Sequence, residues 1–302
     1  MADTPLVSVI CLAYNHEAYI EKALNGFVMQ KIDFDFEIIV HDDASTDNTQ
    51  NIIQEYENKY PELLRPIYQV ENQKSKENGL VTRIAFGAAK GKYIALCECD
   101  DYWTDPYKLQ KQVDFLENNP EYSMCVHNAI VSFEEDESRN YFFNTANQKT
   151  IITTEDLIEK WSFATASMLF LTSLQPNVPG DISSRIYNGD LFLSLMVSLH
   201  GPIKYMPDMM SVYRRSTCAT KNKSFRKPGK DYNRHYIIDK RIELLNIFDN
   251  LTKGNYTNLI ENRIEELRKS RKKMELYYRF PIIKYLRPKK IFEFLMRSLF
   301  KP

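Results

Sequence analysis

Acidic side chains follow two short apolar runs of this chain, at positions where they could hold a cation. The five acids are Asp42, Asp43, Glu98, Asp100 and Asp101. Neighbouring carboxylates repel one another unless a cation lies between them. Mg²⁺ and Mn²⁺ prefer oxygen ligands and are commonly held by one or two carboxylates together with substrate phosphates. The pattern therefore predicts a metal site for a phosphorylated ligand, with Asp100 and Asp101 as metal ligands.

Helix capping is an alternative explanation for part of this set. Asp42, Asp43 or Asp47 could accept the free amides of the helix that follows, and Asp101 could stabilise a turn. We prefer capping for Asp47. Metal binding is preferred for Asp100 and Asp101, because an apolar run that ends in adjacent acids has no simple capping explanation.

Strand and helix patterns alternate along the first part of the chain. Apolar runs rich in β-branched residues predict strands at residues 6–12, 36–40, 66–70 and 92–97. Helical spacing of apolar residues predicts helices at residues 16–29, 47–60 and 79–90. This alternation indicates βαβ units around a parallel sheet, in which ligands bind beyond the carboxyl ends of the strands. The acids and Tyr14, which follows the first strand, are therefore expected at one edge of the sheet.

The rest of the chain is less regular. Further apolar runs predict strands at residues 123–133, 166–171 and 203–213. Thr154 with two acids after it predicts the start of a helix. Helical spacing predicts three more helices, at residues 190–199, 230–250 and 255–278.

Composition excludes several classes of protein. The 302 residues are 43% hydrophobic and 13% aromatic, which excludes a disordered, fibrous or disulfide-stapled chain. The 40 basic residues equal the 40 acidic ones, so no nucleic-acid partner is expected. No glycine-rich loop that cradles pyrophosphate follows the first strand, which argues against dehydrogenases, methyltransferases and P-loop proteins.

A cytoplasmic location is expected from the sequence. It shows neither a signal peptide nor an uncharged apolar stretch of about 18 residues. The five cysteines are scattered without zinc-binding spacing. Cys97 and Cys99, on one face of a strand, are expected to be buried reduced thiols.

Four blocks of sequence resemble, in their order and spacing, the inverting family 2 glycosyltransferases. They are VSVICLAYNHEAYIEKAL (7–24), EIIVHDDASTDNT (37–49), TRIAFGAAKGKYIALCECDDYWTDPYKL (82–109) and NGDLFLSLMVSLHGPIKYMPDMMSVYRR (188–215). The resemblance covers most of residues 5–220. It implies an α/β protein with the GT-A nucleotide-diphospho-sugar transferase fold, whose mostly parallel central sheet is flanked by helices. It implies a catalytic domain over residues 1–225 and a helical C-terminal extension with a basic amphipathic tail over residues 226–302.

The resemblance also implies roles for single residues. The nucleotide-binding residues would be Ala13, Tyr14, Asp42, Asp43, Arg83 and Asp100. Tyr14 would stack on uracil, and Asp42 with Asp43 would bind the base and ribose. The segment Glu98-Cys99-Asp100-Asp101 takes the place of the family's D-x-D motif and would bind ribose and the metal, with Glu98 in a supporting role.

Asp190 is the general base that the resemblance implies. Its position is compatible, because it follows Gly189 at a helix start, where a substrate can come close. It would remove the proton of the acceptor hydroxyl while that hydroxyl attacks the anomeric carbon opposite the leaving diphosphate. The metal would neutralise charge on the diphosphate. Simple N-capping of the helix by Asp190 is the alternative.

The chain departs from the family pattern after Tyr213. Relatives often carry a histidine shortly after the Tyr-Arg pair, where it completes metal coordination. Here Arg214 and Arg215 are followed by Ser216 and Thr217. Either Arg214 or Arg215 would supply positive charge to the diphosphate, or the metal would keep an additional water.

A basic tail ends the sequence. Residues 262–302 contain 13 basic and 4 acidic residues, a net charge of +9, which leaves 27 basic and 36 acidic residues, a net −9, for residues 1–261. Over residues 268–302 the basic side chains alternate with aromatic and aliphatic ones. This pattern suits peripheral contact with the anionic inner face of a cell membrane. Packing of the tail on the catalytic domain is the alternative.

These patterns together predict a glycosyltransferase that uses Mn²⁺ or Mg²⁺. The donor would be a nucleotide-diphospho-sugar, with UDP as the expected nucleotide. The acceptor would be a glycan or lipid-linked molecule in surface polysaccharide or glycan biosynthesis. The alternatives are a sugar nucleotidyltransferase of similar fold, which the lack of a glycine- and basic-rich loop after the first strand disfavours, and a non-catalytic carbohydrate-binding or scaffolding subunit.

Overall fold

The computed structural model describes residues 4–134, 136–215 and 230–279. The chain divides into two compact units, residues 1–222 and residues 223–302. Every strand of the described residues belongs to the first unit, and the second is helical. The domain boundary expected between residues 225 and 226 lies outside the described residues.

Strands and helices alternate over the first hundred residues. The elements are β1 (Val7–Ala13), α1 (Ile20–Val28), β2 (Phe36–Asp42), α2 (Thr49–Lys59), β3 (Leu64–Tyr68), α3 (Gln73–Lys76), α4 (Leu80–Ala88) and β4 (Tyr93–Leu96). β1, β2 and β4 are buried along almost their whole length. Their apolar runs are covered on both faces, as is typical of parallel strands.

The elements that follow vary more in length and do not alternate regularly. They are β5 (Tyr102–Trp103), α5 (Lys108–Asn118), β6 (Met124–Ser132), β7 (Tyr141–Phe142), β8 (Ile151–Ile152), α6 (Thr154–Glu159), β9 (Leu169–Leu171), α7 (Gly180–Ser183), α8 (Gly189–Ser198) and β10 (Ile203–Arg214). Short 3-10 turns lie at residues 137–139, 165–167 and 172–174, and the second of them comes just before β9. α5 and β5 were not predicted from the sequence.

Within the described residues, ten strands form one mixed sheet. Their order is β3-β2-β1-β4-β9-β6-β10-β5, with β7 beside β6 and β8 beside β10. β3, β2, β1 and β4 run parallel to one another, as do β6 and β10. The short β9 is antiparallel to both β4 and β6 and joins the two parallel groups. The expectation of a mostly parallel sheet flanked by helices is confirmed.

Helix α1 packs closely against the segment that follows β4. A Cβ atom on Gly26 of α1 would lie 2.9 Å from the carbonyl oxygen of Trp103, so the close approach requires glycine. The buried Trp103 ring also packs edge-on against Phe27, with the ring centroids 4.8 Å apart. Trp103 pairs with Ser211 of β10. The segment directly after the acidic residues is thereby fixed from two sides.

β3 begins and ends two residues before its predicted position. Leu64 is buried, whereas Val70, which the apolar pattern placed in the strand, is 96% exposed. β3 pairs only with β2 among the described strands and is an edge strand. Pro66 is tolerated there, because its missing N–H is not needed by a second neighbour.

The described part of the second unit is a pair of helices, α9 (Lys230–Leu251) and α10 (Thr257–Arg279). Their bounds lie close to those predicted. Lys253 and Gly254 have positive φ in the turn between them. Leu245, Phe248 and Ile260 are buried.

Within residues 4–134, 136–215 and 230–279, no helix is both long and apolar enough to cross a membrane. Residues 280–302, which make up most of the proposed membrane-contact segment, lie outside the described residues.

Candidate active site

The loops after β1, β2 and β4 lie side by side. The Asp43 N–H donates to the carbonyl oxygen of Ala13 at 2.9 Å, and the Cys99 N–H donates to that of Leu12 at 3.3 Å. These bonds continue the pairing of the parallel strands past their carboxyl ends. The residues that follow the three strands therefore share one edge of the sheet.

A disulfide joins Cys11 of β1 to Cys99 in the loop after β4. The expectation of a reduced Cys99 is wrong in this structure. β1 and the loop are neighbours, which brings the two Cα atoms to 5.8 Å, within the range that disulfides span. Cys97 and Cys125 are buried free thiols. Burial raises the pKa of Cys97, which keeps this thiol protonated.

The loops after β1 and β2 are locked to each other. Asn15 and Ala44 have left-handed backbone conformations, with φ of 55° and 60°. The Asn15 N–H donates to Ser45 Oγ at 2.9 Å, and Asn15 Oδ1 accepts the Thr46 N–H at 2.8 Å. Such conformations cost about 1–3 kcal/mol each and persist where the surrounding contacts enforce them. The edge of the sheet is therefore preformed.

Asp42 and Asp43 are buried and stabilise the walls of this edge. Asp42 accepts the Ser45 hydroxyl at 2.5 Å. Asp43 accepts the N–H groups of Gln73 at 2.6 Å and Lys74 at 3.1 Å, at the start of α3. Each carboxylate oxygen can accept more than one hydrogen bond. Asp43 thus has unused lone pairs but is only 2% exposed, and Asp42 is completely buried.

Tyr14 and Ala13 stand at the end of β1. Tyr14 is 38% exposed, so its ring is available to stack on a planar base. Ala13 is buried and contributes its carbonyl oxygen to the Asp43 N–H. Asp47 accepts the Thr49 N–H at 3.0 Å where α2 begins, in line with the capping preferred for it, although Asn48 occupies the N-cap position.

The three acids after β4 differ in their surroundings. Asp101 is buried and accepts the Arg214 N–H at 2.8 Å; burial raises its pKa well above the ordinary range, and Asp100 adds to the rise. Asp100 is half-buried, and its carboxylate has no hydrogen-bond partner among the described residues. Glu98 is exposed, although protein atoms surround it closely enough to weaken its hydration. Loss of hydration raises the pKa of Glu98 to about 7, with further contributions from Asp100 and Asp190. Asp190 therefore lies within electrostatic range of Glu98.

The carboxylate oxygens of the acids after β4 fit a divalent cation that arrives with a diphosphate. In the described part of the chain, no three His, Cys, Asp or Glu side chains gather closely enough to hold an ion by themselves. The unengaged carboxylate of Asp100 beside Asp101 suits the other common arrangement. In that arrangement one or two carboxylates share Mg²⁺ or Mn²⁺ with the phosphates of a ligand.

Arg214 is built into the wall behind the acids. Its Nη1 donates to the carbonyl oxygen of Asp100 at 2.8 Å, and its Nε lies 2.9 Å from Glu134 Oε1. The guanidinium also stacks 4.5 Å from the centre of the Tyr102 ring. The Nη1 and Nε groups of Arg214 are thus engaged with other groups of the protein. Arg215 is exposed, so its guanidinium is the accessible one of the two.

Arg83 on α4 is engaged with protein groups. It pairs with both carboxylate oxygens of Glu77, at 2.8 and 3.1 Å, and donates to Ser183 Oγ at 3.0 Å. Asn78 donates to the carbonyl oxygen of Ile186 at 2.7 Å. These contacts hold the loop before α4 against the segment that precedes α8. The nucleotide contact implied for Arg83 would require its ion pair to rearrange.

Asp190 is the second residue of α8. Its Oδ2 accepts the Thr165 hydroxyl at 2.9 Å, and its Oδ1 accepts the Leu191 N–H at 2.9 Å. Asn188 occupies the N-cap position. Asp190 therefore binds one amide at the helix start, in line with the capping alternative, but it is not the N-cap residue and has a second partner outside the helix.

Two basic residues that were not predicted also lie within electrostatic range of these acids. Burial lowers the pKa of His16. The charge of Asp100 acts in the opposite direction, so the two side chains are within electrostatic range. Lys74 is exposed, and its charge contributes to lowering the pKa of both His16 and Glu98. Lys74 and His16 follow the carboxyl ends of β3 and β1. Their positions after strand ends are the signal by which the sequence could have located them.

The family described as Glycosyl transferase family 2 matches residues 8–174, more than half of the sequence. The chain belongs to glycosyl transferase family 2. The resemblance seen in the sequence blocks is thereby confirmed. The matched region of this family 2 chain contains the acids after β2 and β4 and ends before Asp190 and Arg214.

Curated relatives of this family 2 chain include proteins from two bacteria. The uncharacterized protein Rv1520 of Mycobacterium tuberculosis is 38% identical over 209 residues, which are 69% of this chain and 58% of that protein. The putative teichuronic acid biosynthesis glycosyltransferase TuaG of Bacillus subtilis is 38% identical over 112 residues, 37% of this chain and 42% of TuaG. The chain thus spans less than two thirds of the length of these relatives.

Two solved structures share the fold. S. aureus TarS 1-349 in complex with UDP-GlcNAc has a TM-score of 0.56 and 19% identity, over 83% of this chain and 72% of that one. The mannosyltransferase PcManGT from Pyrobaculum calidifontis, in complex with GDP-Man and Mn²⁺, has a TM-score of 0.56 and 18% identity, over 87% of this chain and 70% of that one. The predicted GT-A fold is confirmed.

Proposed function

We propose that this protein transfers a sugar from a nucleotide-diphospho-sugar, with UDP as the nucleotide, to a hydroxyl of a glycan or lipid-linked acceptor. The proposal includes inversion at the anomeric carbon and a place in surface polysaccharide or glycan biosynthesis. One observation carries it. The unengaged Asp100 carboxylate lies beside Glu98 and Asp101 at the edge of a family 2 sheet, and Asp190 is near enough to act electrostatically on Glu98.

Tyr14, Asp43 and Asp100 would hold the nucleotide. The exposed ring of Tyr14 suits stacking on the base. Asp43 has spare lone pairs at the same edge and suits a hydrogen bond to the base or ribose, whereas the covered Asp42 would act through the turn that it holds with Ser45. TarS was solved with UDP-GlcNAc and PcManGT with GDP-Man, which supports a nucleotide-sugar donor.

Asp100 and Asp101 would hold Mn²⁺ or Mg²⁺ together with the diphosphate, with Glu98 beside them. The Mn²⁺ in PcManGT supports this choice of metal. When bound, such a cation stabilises negative charge on the diphosphate. Lys74 and Arg215 are exposed cations that would contact the same diphosphate.

Asp190 would be the general base. Its carboxylate takes the proton of the acceptor hydroxyl as the acceptor oxygen forms a bond to the anomeric carbon. The bond between that carbon and the diphosphate breaks, and its electron pair leaves with the diphosphate. Attack from the face opposite the leaving group inverts the configuration.

Asp190→Asn should lose turnover and retain donor binding. The amide fills the same volume but cannot take the proton, so we expect kcat to fall by roughly 10²- to 10⁴-fold. The measurement is release of nucleoside diphosphate from UDP-, GDP- and dTDP-sugars with glycan acceptors, with and without Mn²⁺, alongside calorimetric titration of the nucleotide. Asp181→Asn is the matched control: Asp181 is an exposed acid in the first turn of α7, and its change should alter neither quantity.

Other outcomes would contradict parts of the proposal. Full turnover in Asp190→Asn would exclude Asp190 as the base. A nucleotide affinity that is the same with and without Mn²⁺ or Mg²⁺ would contradict the metal site. Release of pyrophosphate from a nucleoside triphosphate would identify a sugar nucleotidyltransferase, and donor binding without turnover by the unaltered protein would favour a carbohydrate-binding subunit.

A further inference from the structure

The 3-10 turn at residues 165–167 contacts the candidate base. Thr165 is half-buried and donates its hydroxyl to Oδ2 of Asp190 at 2.9 Å. The Leu191 N–H, which binds Oδ1, belongs to the same helix as Asp190. Thr165 thus supplies a contact from outside α8 that fixes the direction of the Asp190 carboxylate.

Two buried side chains hold this turn from the side of the acidic residues. Trp103 donates its indole N–H to the carbonyl oxygen of Ala166 at 2.9 Å, and Gln112 donates its amide to that of Ser167 at 2.9 Å. Both side chains are almost fully buried. Trp103 lies two residues after Asp101. The turn that holds the base is therefore bonded to the chain segment that carries the acids.

Lys108 fixes the two anchoring side chains. It is completely buried, and its Nζ donates to Gln112 Oε1 at 2.7 Å and lies 4.0 Å from the centre of the Trp103 ring. Gln112 Nε2 also donates to the carbonyl oxygen of Cys125 at 3.0 Å. Because the carbonyl oxygens of Cys125 and Ser167 can only accept, the Gln112 amide nitrogen must face them and its oxygen must face Lys108. The anchor is defined in both position and orientation.

We propose that Thr165 is a positioning residue, which sets the direction of Asp190 relative to the donor site through a turn anchored on Trp103 and Gln112. The inference rests on the proposed role of Asp190 as the base. Displacement of a catalytic group by about 1 Å can cost on the order of 100-fold in rate. Thr165 should therefore control turnover and leave donor binding alone, since the residues proposed to hold the nucleotide follow β1, β2 and β4.

Substitution of Thr165 by residues of similar size tests this role. Thr165→Val removes the hydroxyl at nearly constant volume, and Thr165→Ser retains it. We expect kcat to fall roughly 10- to 100-fold in Thr165→Val, with an unchanged dissociation constant for UDP. In Thr165→Ser, kcat should stay close to that of the unaltered protein. Thr154→Val is the matched control. Thr154 is buried and donates to the Ser198 carbonyl oxygen at the opposite end of α8, so its loss should lower the free energy of unfolding without lowering kcat.

A double substitution separates this inference from the proposed function. If Thr165 acts through Asp190, adding Thr165→Val to Asp190→Asn should cause little further loss of turnover. Full kcat in Thr165→Val beside a strong loss in Asp190→Asn would overturn the inference alone. An equal loss in Thr154→Val would overturn it too. Full kcat in Asp190→Asn would overturn the proposed base. If Thr165→Val does not fold, Thr165→Ala replaces it with the same expectations.

Discussion

Lys108 is a buried lysine without an anionic partner among the described residues. Burial lowers its pKa to about 7 from the ordinary 10.5. Between these two pH values the unfolded chain holds a proton on Lys108 that the folded protein does not hold. The free energy of unfolding therefore contains a contribution that rises with pH from about 7 to about 10.5.

Replacement of Lys108 should flatten this pH dependence. Between pH 7.5 and 9.5 the unaltered protein should gain roughly 2 kcal/mol of unfolding free energy that Lys108→Met does not gain. Urea unfolding at the two pH values measures the difference. Lys111→Met is the control on the same helix: hydrogen bonds with Asp105 and Asp208 raise the pKa of Lys111, so it keeps its proton in both states across this window. Equal slopes in the unaltered protein and in Lys108→Met would show that Lys108 stays charged in the fold.

At the level of elements, helix α1 packs against β5 with no room for a side chain at Gly26. A Cβ atom on Gly26 would meet both the carbonyl oxygen and the amide nitrogen of Trp103, at 2.9 and 3.0 Å. These are backbone atoms, which cannot move aside as a side-chain tip can. Gly26→Ala should therefore lower the free energy of unfolding by about 1–3 kcal/mol, despite the better helix propensity of alanine. Denaturant unfolding provides the measurement.

Gly87→Ala serves as the matched control for this substitution. Gly87 also lies within a helix, α4, but a Cβ atom there would have no neighbour within 4 Å. Helix propensity alone then acts, and we expect stabilisation of about 0.5–1 kcal/mol. If both glycine variants were stabilised, the contact between α1 and Trp103 would have to be looser than it is in the structure.

The sequence predicted those elements whose buried residues are apolar. β1, β2 and β4 are covered on both faces, so their burial is visible as uninterrupted apolar runs. α5 was missed because Lys108 and Gln112 occupy its buried face and interrupt the apolar spacing. β5 has two residues and is defined by its pairing with β10, which no local pattern encodes.

The candidate site was also predictable from the sequence only in part. The acids could be located from the sequence because each follows a recognisable strand, and strand ends meet by the topology of the sheet. The contacts that orient them could not be predicted, since they join residues far apart in the chain. Thr165 binds Asp190 across 25 positions, and Trp103 binds Ala166 across 63. The engagement of Arg83 with Ser183 spans 100.

At the level of the whole molecule, charge is distributed unevenly. The net charge is −9 over residues 1–261 and +9 over residues 262–302. If the basic tail contacts a membrane, the full chain should float with liposomes that contain anionic lipid and not with neutral ones. Each basic residue near an anionic surface contributes about 1 kcal/mol. Flotation should therefore be lost on replacement by Gln of Lys284, Arg287, Lys289 and Lys290.

The control for this experiment removes the same number of charges from the first unit. Its exposed lysines without an ion pair among the described residues include Lys31, Lys59, Lys90 and Lys160. Their replacement by Gln should leave flotation unchanged. If the tail variant floats as well as this control, the tail does not bind the membrane, and packing on the catalytic domain becomes the preferred explanation for its apolar residues.

Arg214 makes the acidic residues depend on the last strand of the sheet. Its N–H binds Asp101 and its Nη1 binds the carbonyl oxygen of Asp100, 113 and 114 positions earlier in the chain. A ribosome releases the N-terminus first, so both acids leave the exit tunnel long before their partner is made. A nascent chain halted before Arg214 carries the acids without the bonds that fix them. The enzyme proposed here is completed only when translation has passed β10.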